Sequence, residues 1–234
     1  MKQKPIPPAL TPFLEGKVLL IDKPLKWTSF DMVKKVRWMT KIMKVGHAGT
    51  LDPLATGLLI ICTGKYTKQI NDYMGMTKEY TGSLVLGATT ASYDLEQEPE
   101  NFKSIEAITE LAIQEATKQF IGTILQMPPQ HSAIKKDGKR LYESARQGIE
   151  VKVDPRQITI QAFEITKINL PNVEFRVLCS TGTYIRSLVH DFGQALGVGA
   201  YMSGLRRTKI GTFNVEDAMQ WEDLEQEIKD LLEG

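Results

Sequence analysis

The chain has 234 residues, 42% hydrophobic and 24% charged, with a net charge of +1, which suits a globular protein with a sizeable core. Its longest apolar runs, such as Leu58 to Cys62, are too short for a membrane-spanning helix. The start, Met1 to Pro5, has no apolar signal-peptide core, so a cytoplasmic protein without membrane association is expected.

The first dozen residues carry Pro5, Pro7, Pro8 and Pro12 and read as an extended arm. Val18 to Ile21 is a short buried strand, followed by a loop over Asp22 to Trp27. Thr28 or Ser29 caps a helix to about Met39, with Phe30, Val33 and Val36 as its apolar positions. Residues 1–44 hold ten Lys and Arg against three acidic residues, whereas residues 214–234 hold eight acidic residues against Lys229. A polyanion would meet the first segment and avoid the last, although charge alone fits two solvated faces equally well.

Residues Val45 to Ile60 pass from a glycine-rich loop into an apolar strand. Pro53 fixes its own φ and biases Asp52 toward an extended backbone, so one carboxylate sits on a stiff loop before a buried strand. Taken alone, such an Asp-Pro pair is a turn whose Asp bonds its own backbone. Tyr66 to Met74 reads as a short helix, Lys78 to Leu86 as a strand, and Gly87 to Asn101 as a polar loop. Ser104 to Phe120 reads as a helix striped with Ile105, Ile108, Leu111, Ala112, Ile113 and Ala116, stopped by Gly122.

From Leu125 a long basic excursion runs through Lys135, Lys136, Lys139 and Arg140 to a short helix at 141–147. Long polar excursions in compact domains are usually functional or disordered. Basic residues interleaved with His131 and Tyr142 suit a nucleic-acid loop. Ile158 to Ile168 and Val173 to Cys179 form an antiparallel pair turning at Pro171-Asn172. Ser180 to Thr183 caps a helix over Tyr184 to Leu196, with Arg186 off its apolar face. Met202 to Gly211 is a strand, and Trp221 to Leu232 an acidic amphipathic helix. Cys62 and Cys179 lie in strand-like runs and read as buried free thiols. No Cys or His pair has zinc-ligand spacing, so neither a metal nor another cofactor is expected. Strands and helices mix without strict βαβ alternation, which points to α+β: a mixed, mostly antiparallel sheet flanked by helices.

Five blocks form a set. Lys23 to Ser29 resembles KPxGxTS, with Lys26 at the glycine position. Gly46 to Leu59 matches every fixed position of GHxGTLDPxATGxL. Lys78 to Tyr80 resembles KxY, Cys179 to Leu188 resembles CSxGTYIRxL, and Leu205 to Gly211 resembles LRRxxxG. In this order and spacing the chain resembles the TruB family of pseudouridine synthases, the bacterial enzymes that make the T-loop pseudouridine of tRNA. The likeness runs from about Gly16 to Phe213.

The resemblance implies a pseudouridine synthase fold, with residues 1–234 as one catalytic domain and about 126–153 inserted as an RNA-binding thumb. It also implies a short form without the C-terminal PUA-type RNA-binding domain of many relatives. The reaction it implies is isomerisation of uridine 55 in the T-loop (EC 5.4.99.25), on a base flipped out of the RNA. Asp52 matches the nucleophile, attacking either C6 of the base or C1′ after a glycal forms. Arg186 matches the guanidinium that pairs with that carboxylate, and Tyr80 the tyrosine that packs on the base and serves proton transfer at C5. Tyr184 and Leu205 match pocket-lining residues, with ordinary core packing as their other reading. His47 and Lys23 match RNA-contacting positions, and Lys135, Lys136, Lys139 and Arg140 belong to the thumb. The partner implied is the T-arm of tRNA, met by a monomer. The rival readings are a tRNA-binding or folding factor without catalysis, and a synthase acting on another structured RNA, such as the guide-RNA-dependent relatives.

Overall fold

The computed structural model describes residues 6–130, 132, 135–136, 139–141, 149 and 151–233. They fall into two compact units, Met1–Glu79 with Arg206–Gly234, and Tyr80–Leu205. The strands are β1 (Val18–Lys23), β2 (Val45–Ala48), β3 (Ala55–Thr63), β4 (Lys78–Leu86), β5 (Gly122–Gln126), β6 (Lys135–Lys136), β7 (Lys139–Arg140), β8 (Arg156–Asn169), β9 (Asn172–Cys179), β10 (Ala200–Ile210) and β11 (Phe213–Asn214). The helices are α1 (Thr11–Glu15), α2 (Ser29–Thr40), α3 (Ile70–Gly75), α4 (Glu110–Thr117), α5 (Ile185–Ala195) and α6 (Trp221–Glu233). The class is α+β. Pairs β1/β3, β2/β3, β5/β8, β8/β9 and β10/β11 are antiparallel, and isolated bridges at Ile21–Met219 and Asp94–Met202 are parallel.

In the first unit β3 is the central strand, flanked by β1 and β10 and also paired with β2. Its register with β1 runs from Val18↔Cys62 to Lys23↔Gly57. The unbroken run Leu58 to Cys62 is fully buried because both faces of the strand are covered. Leu59 and Ile61 join Leu19, Ile21, Phe13 and the α2 residues Met32, Val33, Val36 and Met39, with Trp221, Leu224 and Ile228 of α6. Leu58, Ile60 and Cys62 point the other way, against Ile210, Val215, Ile70 and Tyr73.

Helix α2 opens with a capping box: the Thr28 hydroxyl accepts from the Asp31 backbone at 3.0 Å, and the Asp31 carboxylate accepts from the Thr28 backbone at 3.1 Å. Its buried stripe begins at Met32, not at Phe30, which is 51% exposed. The proline-rich arm is also not extended throughout. Residues 8–15 turn into a 3-10 turn and α1, because Leu10 and Phe13 are both drawn fully into the core.

The second unit orders its strands β4-β9-β8-β5. The β8/β9 hairpin pairs Ile168 with Val173, and its turn is Leu170-Pro171, one residue earlier than expected, because Asn172 already pairs with Asn169. Phe120, Phe163, Phe175 and Phe192 form the aromatic centre, with ring centroids 5.3 to 6.4 Å apart in contacting pairs. Helix α4 begins at Glu110, six residues later than the apolar stripe suggests. Thr109 caps it through a hydroxyl that accepts from Ala112 N at 3.1 Å, while backbone bonds from Lys103 to Gly87 and from Ile108 to Ile105 hold the preceding residues in turns. Strand β5 is not legible in the sequence; it is short and its Leu125 is exposed. Within the basic excursion, β6 and β7 pair as Lys135↔Arg140 and Lys136↔Lys139. The helix expected at 141–147 lies, beyond Leu141, outside the described residues, as do His131 and Tyr142. Both cysteines are buried free thiols.

Gly57 carries a strict requirement. Its φ is +102°, and a Cβ there would stand 2.3 Å from the Arg207 carbonyl oxygen. Gly57→Ala is therefore expected to lower unfolding stability by at least about 2 kcal/mol, read as a lower urea midpoint. An unchanged midpoint would show that β3 and β10 can separate at no cost.

Candidate active site

The Asp52 loop is held on both sides of its carboxylate. Because Thr28 serves as the helix cap, the hydroxyl of Ser29 is available to Leu51. It accepts from Leu51 N at 2.8 Å and donates to Leu51 O at 3.2 Å. Lys26 N donates to Pro53 O at 2.8 Å, and Ala55 N closes a turn on Asp52 O at 3.0 Å. Asp52 itself is half-buried. The fixed backbone thus carries one carboxylate in a set direction, as the Asp-Pro step predicts.

Two cations stand around this loop. Arg207, 1% exposed, donates from Nε to Leu58 O at 2.8 Å and from Nη2 to Gly49 O at 3.2 Å. It ties the loop to the strand that follows. Lys23 has no exposed surface and donates from Nζ to Pro24 O at 2.9 Å and Trp27 O at 2.6 Å. Burial brings the Lys23 pKa down to about 8; the Asp52 carboxylate opposes that fall, while Arg207 adds to it. His47 is likewise held below its ordinary value, by burial first and the Arg207 charge second. It is neutral at pH 7. Beneath these, Asp22 takes a two-pronged ion pair from Arg206, at 3.0 and 2.6 Å. Within the first unit, Lys23 is therefore within electrostatic reach of both Asp52 and Arg207, and His47 within reach of Arg207.

The remaining expected residues belong to the second unit. Arg186 lies on the first turn of α5, off the apolar face as expected, but the side it turns to is covered too, and it is only 4% exposed. Its Nη1 donates to Ser92 O at 3.1 Å, and its Nε lies 3.5 Å from the buried carboxylate of Asp94. A guanidinium so enclosed loses its rotational freedom. No Ser or Thr side chain caps α5; Ser180 instead accepts from Thr159 N at 2.9 Å. The helix start is fixed by Gln126, whose buried amide accepts from Tyr184 N at 2.8 Å and donates to Tyr184 O at 3.0 Å. Ser187 Oγ donates to Met127 O at 2.8 Å. Tyr80 is buried on β4, and Leu205 is half-buried on β10. Asp22, Asp94, Gln126 and Arg207 are additions to the expected set. Arg207 lay inside the LRR block. Asp94 and Gln126 had no signal beyond being polar residues in segments read as loops.

The TruB family pseudouridylate synthase (N terminal domain) pattern matches residues 37–185, and the tRNA pseudouridylate synthase B C-terminal domain pattern matches 186–232. A tRNA pseudouridine synthase B of Flavobacterium johnsoniae is 56% identical over 214 residues, spanning 88% of this chain and 93% of the relative. That of Chlorobaculum tepidum is 49% identical over 219 residues, spanning 92% and 91%. Among solved structures, a chain of a Cbf5-Nop10-Gar1 complex superposes with a TM-score of 0.72 at 32% identity, covering 94% of this chain and 56% of that one. A chain of an H/ACA RNP bound to a substrate RNA containing 2′-deoxyuridine gives 0.68 at 30%, covering 92% and 53%. This chain thus spans about half the length of those two.

The position of Lys23 has a measurable pH signature. Its pKa is about 8 folded against 10.5 for an ordinary lysine. Between those values the unfolded chain binds a proton that the folded chain has lost. Stability from this group therefore rises with pH across that window, by up to about 1.4 kcal/mol per pH unit. Lys23→Met should remove that slope. Asp52→Asn should push the Lys23 pKa further down, since the carboxylate is what raises it. NMR titration of the lysine side chain reads this directly, and a pKa indifferent to Asp52→Asn would separate the two groups.

Proposed function

Because this chain belongs to the TruB family of pseudouridylate synthases, we propose that it isomerises uridine to pseudouridine in tRNA, at position 55 of the T-loop. The observation that carries this is the Asp52 loop, a single carboxylate stapled through Ser29, Lys26 and the buried Arg207 guanidinium. The reaction breaks the N1–C1′ bond and joins C1′ to C5, with no net oxidation or hydrolysis. It needs an anion that can form a transient covalent bond and let it go. Attack at C6 of the base or at C1′ of the sugar places the same demand on Asp52.

The other residues take the roles that the family pattern gives their positions. Arg186, enclosed by Ser92 and Asp94, supplies the fixed positive charge that the pattern pairs with the nucleophile. Tyr80 offers a ring for the flipped base and a hydroxyl for the proton leaving C5. Tyr184 and Leu205 line the base pocket. His47, neutral at pH 7, contacts the RNA by hydrogen bonding, and Lys23 supports substrate binding beside Asp52. Residues 126–153 act as the thumb on the T-arm, through Lys135, Lys136, Lys139 and Arg140. The working protein is a cytoplasmic monomer.

Asp52→Asn should lower pseudouridine formation by more than about a thousandfold while tRNA binding persists. Arg186→Lys should cost about a hundredfold, since the ammonium loses the planar fork. Pseudouridine mapping in T-arm RNA incubated with each purified variant checks both. Turnover within tenfold of wild type in Asp52→Asn would remove the carboxylate from the chemistry.

Neutralising Lys135, Lys136, Lys139 and Arg140 together should weaken tRNA binding and flatten its salt dependence, by about 0.7–0.9 in the log–log slope for each phosphate left unneutralised. The rate at saturating tRNA should change less. An unchanged salt slope would take the thumb role away from these four.

A further inference from the structure

Arg186 is held by a loop that has a second grip on the same helix. The loop runs from Thr90 to Asp94 and delivers Ser92 O and the Asp94 carboxylate to Arg186. Between those two residues stands Tyr93, whose ring stacks on His190 with centroids 3.9 Å apart and planes 20° from parallel. Arg186 and His190 are separated by four residues on α5, one helical turn, so they present to the same side. The loop thus meets the helix twice in register, once through charge and once through stacked rings.

Tyr93 adopts φ +65°, a left-handed conformation that a bulky side chain rarely takes. Local bonds keep it there. Tyr93 N donates to Thr90 O at 3.1 Å, Thr90 Oγ1 to Asp94 O at 2.7 Å, and Met202 N to Tyr93 O at 2.9 Å. A tyrosine in this geometry, in place of glycine, has a use for its ring. That use is not core filling. Both rings are only half-buried and line an open cleft of about 520 Å³, together with Thr89, Asn101, Lys103 and Gln194. Nδ1 of His190 is buried without a hydrogen-bond partner among the described residues, and burial lowers the pKa of the ring. The imidazole is therefore neutral at pH 7, with the Tyr93 ring stacked on its face.

We infer that Tyr93 and His190 are positioning residues for the isomerisation: their stack clasps the 90–94 loop to α5 and so fixes the angle at which Ser92 and Asp94 hold the Arg186 guanidinium. This rests on the catalytic role proposed for Arg186. Small errors in the placing of a charged group are costly in rate, and a displacement of about 1 Å can cost a hundredfold.

The test uses the full chain and intact tRNA, and reads three quantities: single-turnover rate at saturating tRNA, tRNA Kd and Tm. Tyr93→Gly relieves the backbone and deletes the ring, and His190→Leu fills the volume without a π face. Each should lower the rate about tenfold to a hundredfold, with Kd within twofold and Tm little changed. The pair together should cost no more than the worse single variant, because either one breaks the clasp. Tyr93→Phe and His190→Phe keep a stackable ring and should stay within threefold of wild type. Wild-type rates in Tyr93→Gly and His190→Leu overturn the inference. So does a loss that follows a fall in Tm or a rise in Kd, or a failure of the variants to fold, since each makes the stack structural. Arg186→Lys run alongside separates the two readings. If that variant turns over normally, the role of Arg186 itself is lost; if it is impaired while the ring variants are not, only the clasp is.

Discussion

The guanidinium of Arg207 is the constraint on which the first unit turns. A cation with 1% of its surface exposed is costly to bury unless its donors are satisfied, and here they are met by the carbonyls of Leu58 and Gly49. Those two carbonyls stand on either side of Asp52 in the chain, so satisfying the charge also closes the loop. Burial keeps Lys23 and His47 from holding protons as tightly as free side chains would, and the Arg207 charge adds to that. Arg207 also accounts for the glycine at 57, because its backbone occupies the space a side chain would need. Loop position thus follows from the buried guanidinium, and the local sequence at 57 from the backbone that carries it.

The second unit solves a different problem, that of holding a charge still near a helix start that no Ser or Thr side chain caps. Helix α5 begins at Tyr184, with the amide of Gln126 in contact with its backbone. Two residues later, Arg186 is enclosed by a carbonyl and a carboxylate from a loop far away in sequence. A buried Arg–Asp pair adds little to stability by itself, because desolvation offsets most of the attraction. Its value here is directional.

Much of this was legible in the sequence where the signal is local. The stiff Asp-Pro step, the Thr28 cap, the apolar β3 run and the proline turn of the hairpin are short-range properties, and the structure places them as expected, the turn within one residue. What failed was what depends on distant partners. Phe30 has helical spacing but faces outward, since Met32 meets the α6 side of the core instead. Arg186 leaves the apolar face as its spacing says, but the residue that encloses it there, Asp94, stands more than ninety residues earlier and carries no such signal. Residues 104–109 have an apolar stripe, and Ser104 accepts from Glu106 N at 3.3 Å, but the chain stays in turns there and the helix starts only where Thr109 caps it. In the site, Asp52, Lys23 and His47 were marked by a dense motif. Asp94 and Gln126 stand in polar segments without periodicity, where nothing distinguishes a side chain that will bond a helix backbone from one that will meet water.

The double hydrogen bond between Gln126 and Tyr184 has a mechanical meaning. Gln126 is the last residue of β5 and the root from which the basic excursion departs. Its amide is joined to the peptide unit two residues before Arg186, and Ser187 is tied to Met127 in the same way. The joint is therefore between the end of β5 and the first turn of α5. A shift of that strand end is carried into the helical turn that bears the guanidinium, so strand and helix move there as one piece and the aim of the charge is set by both.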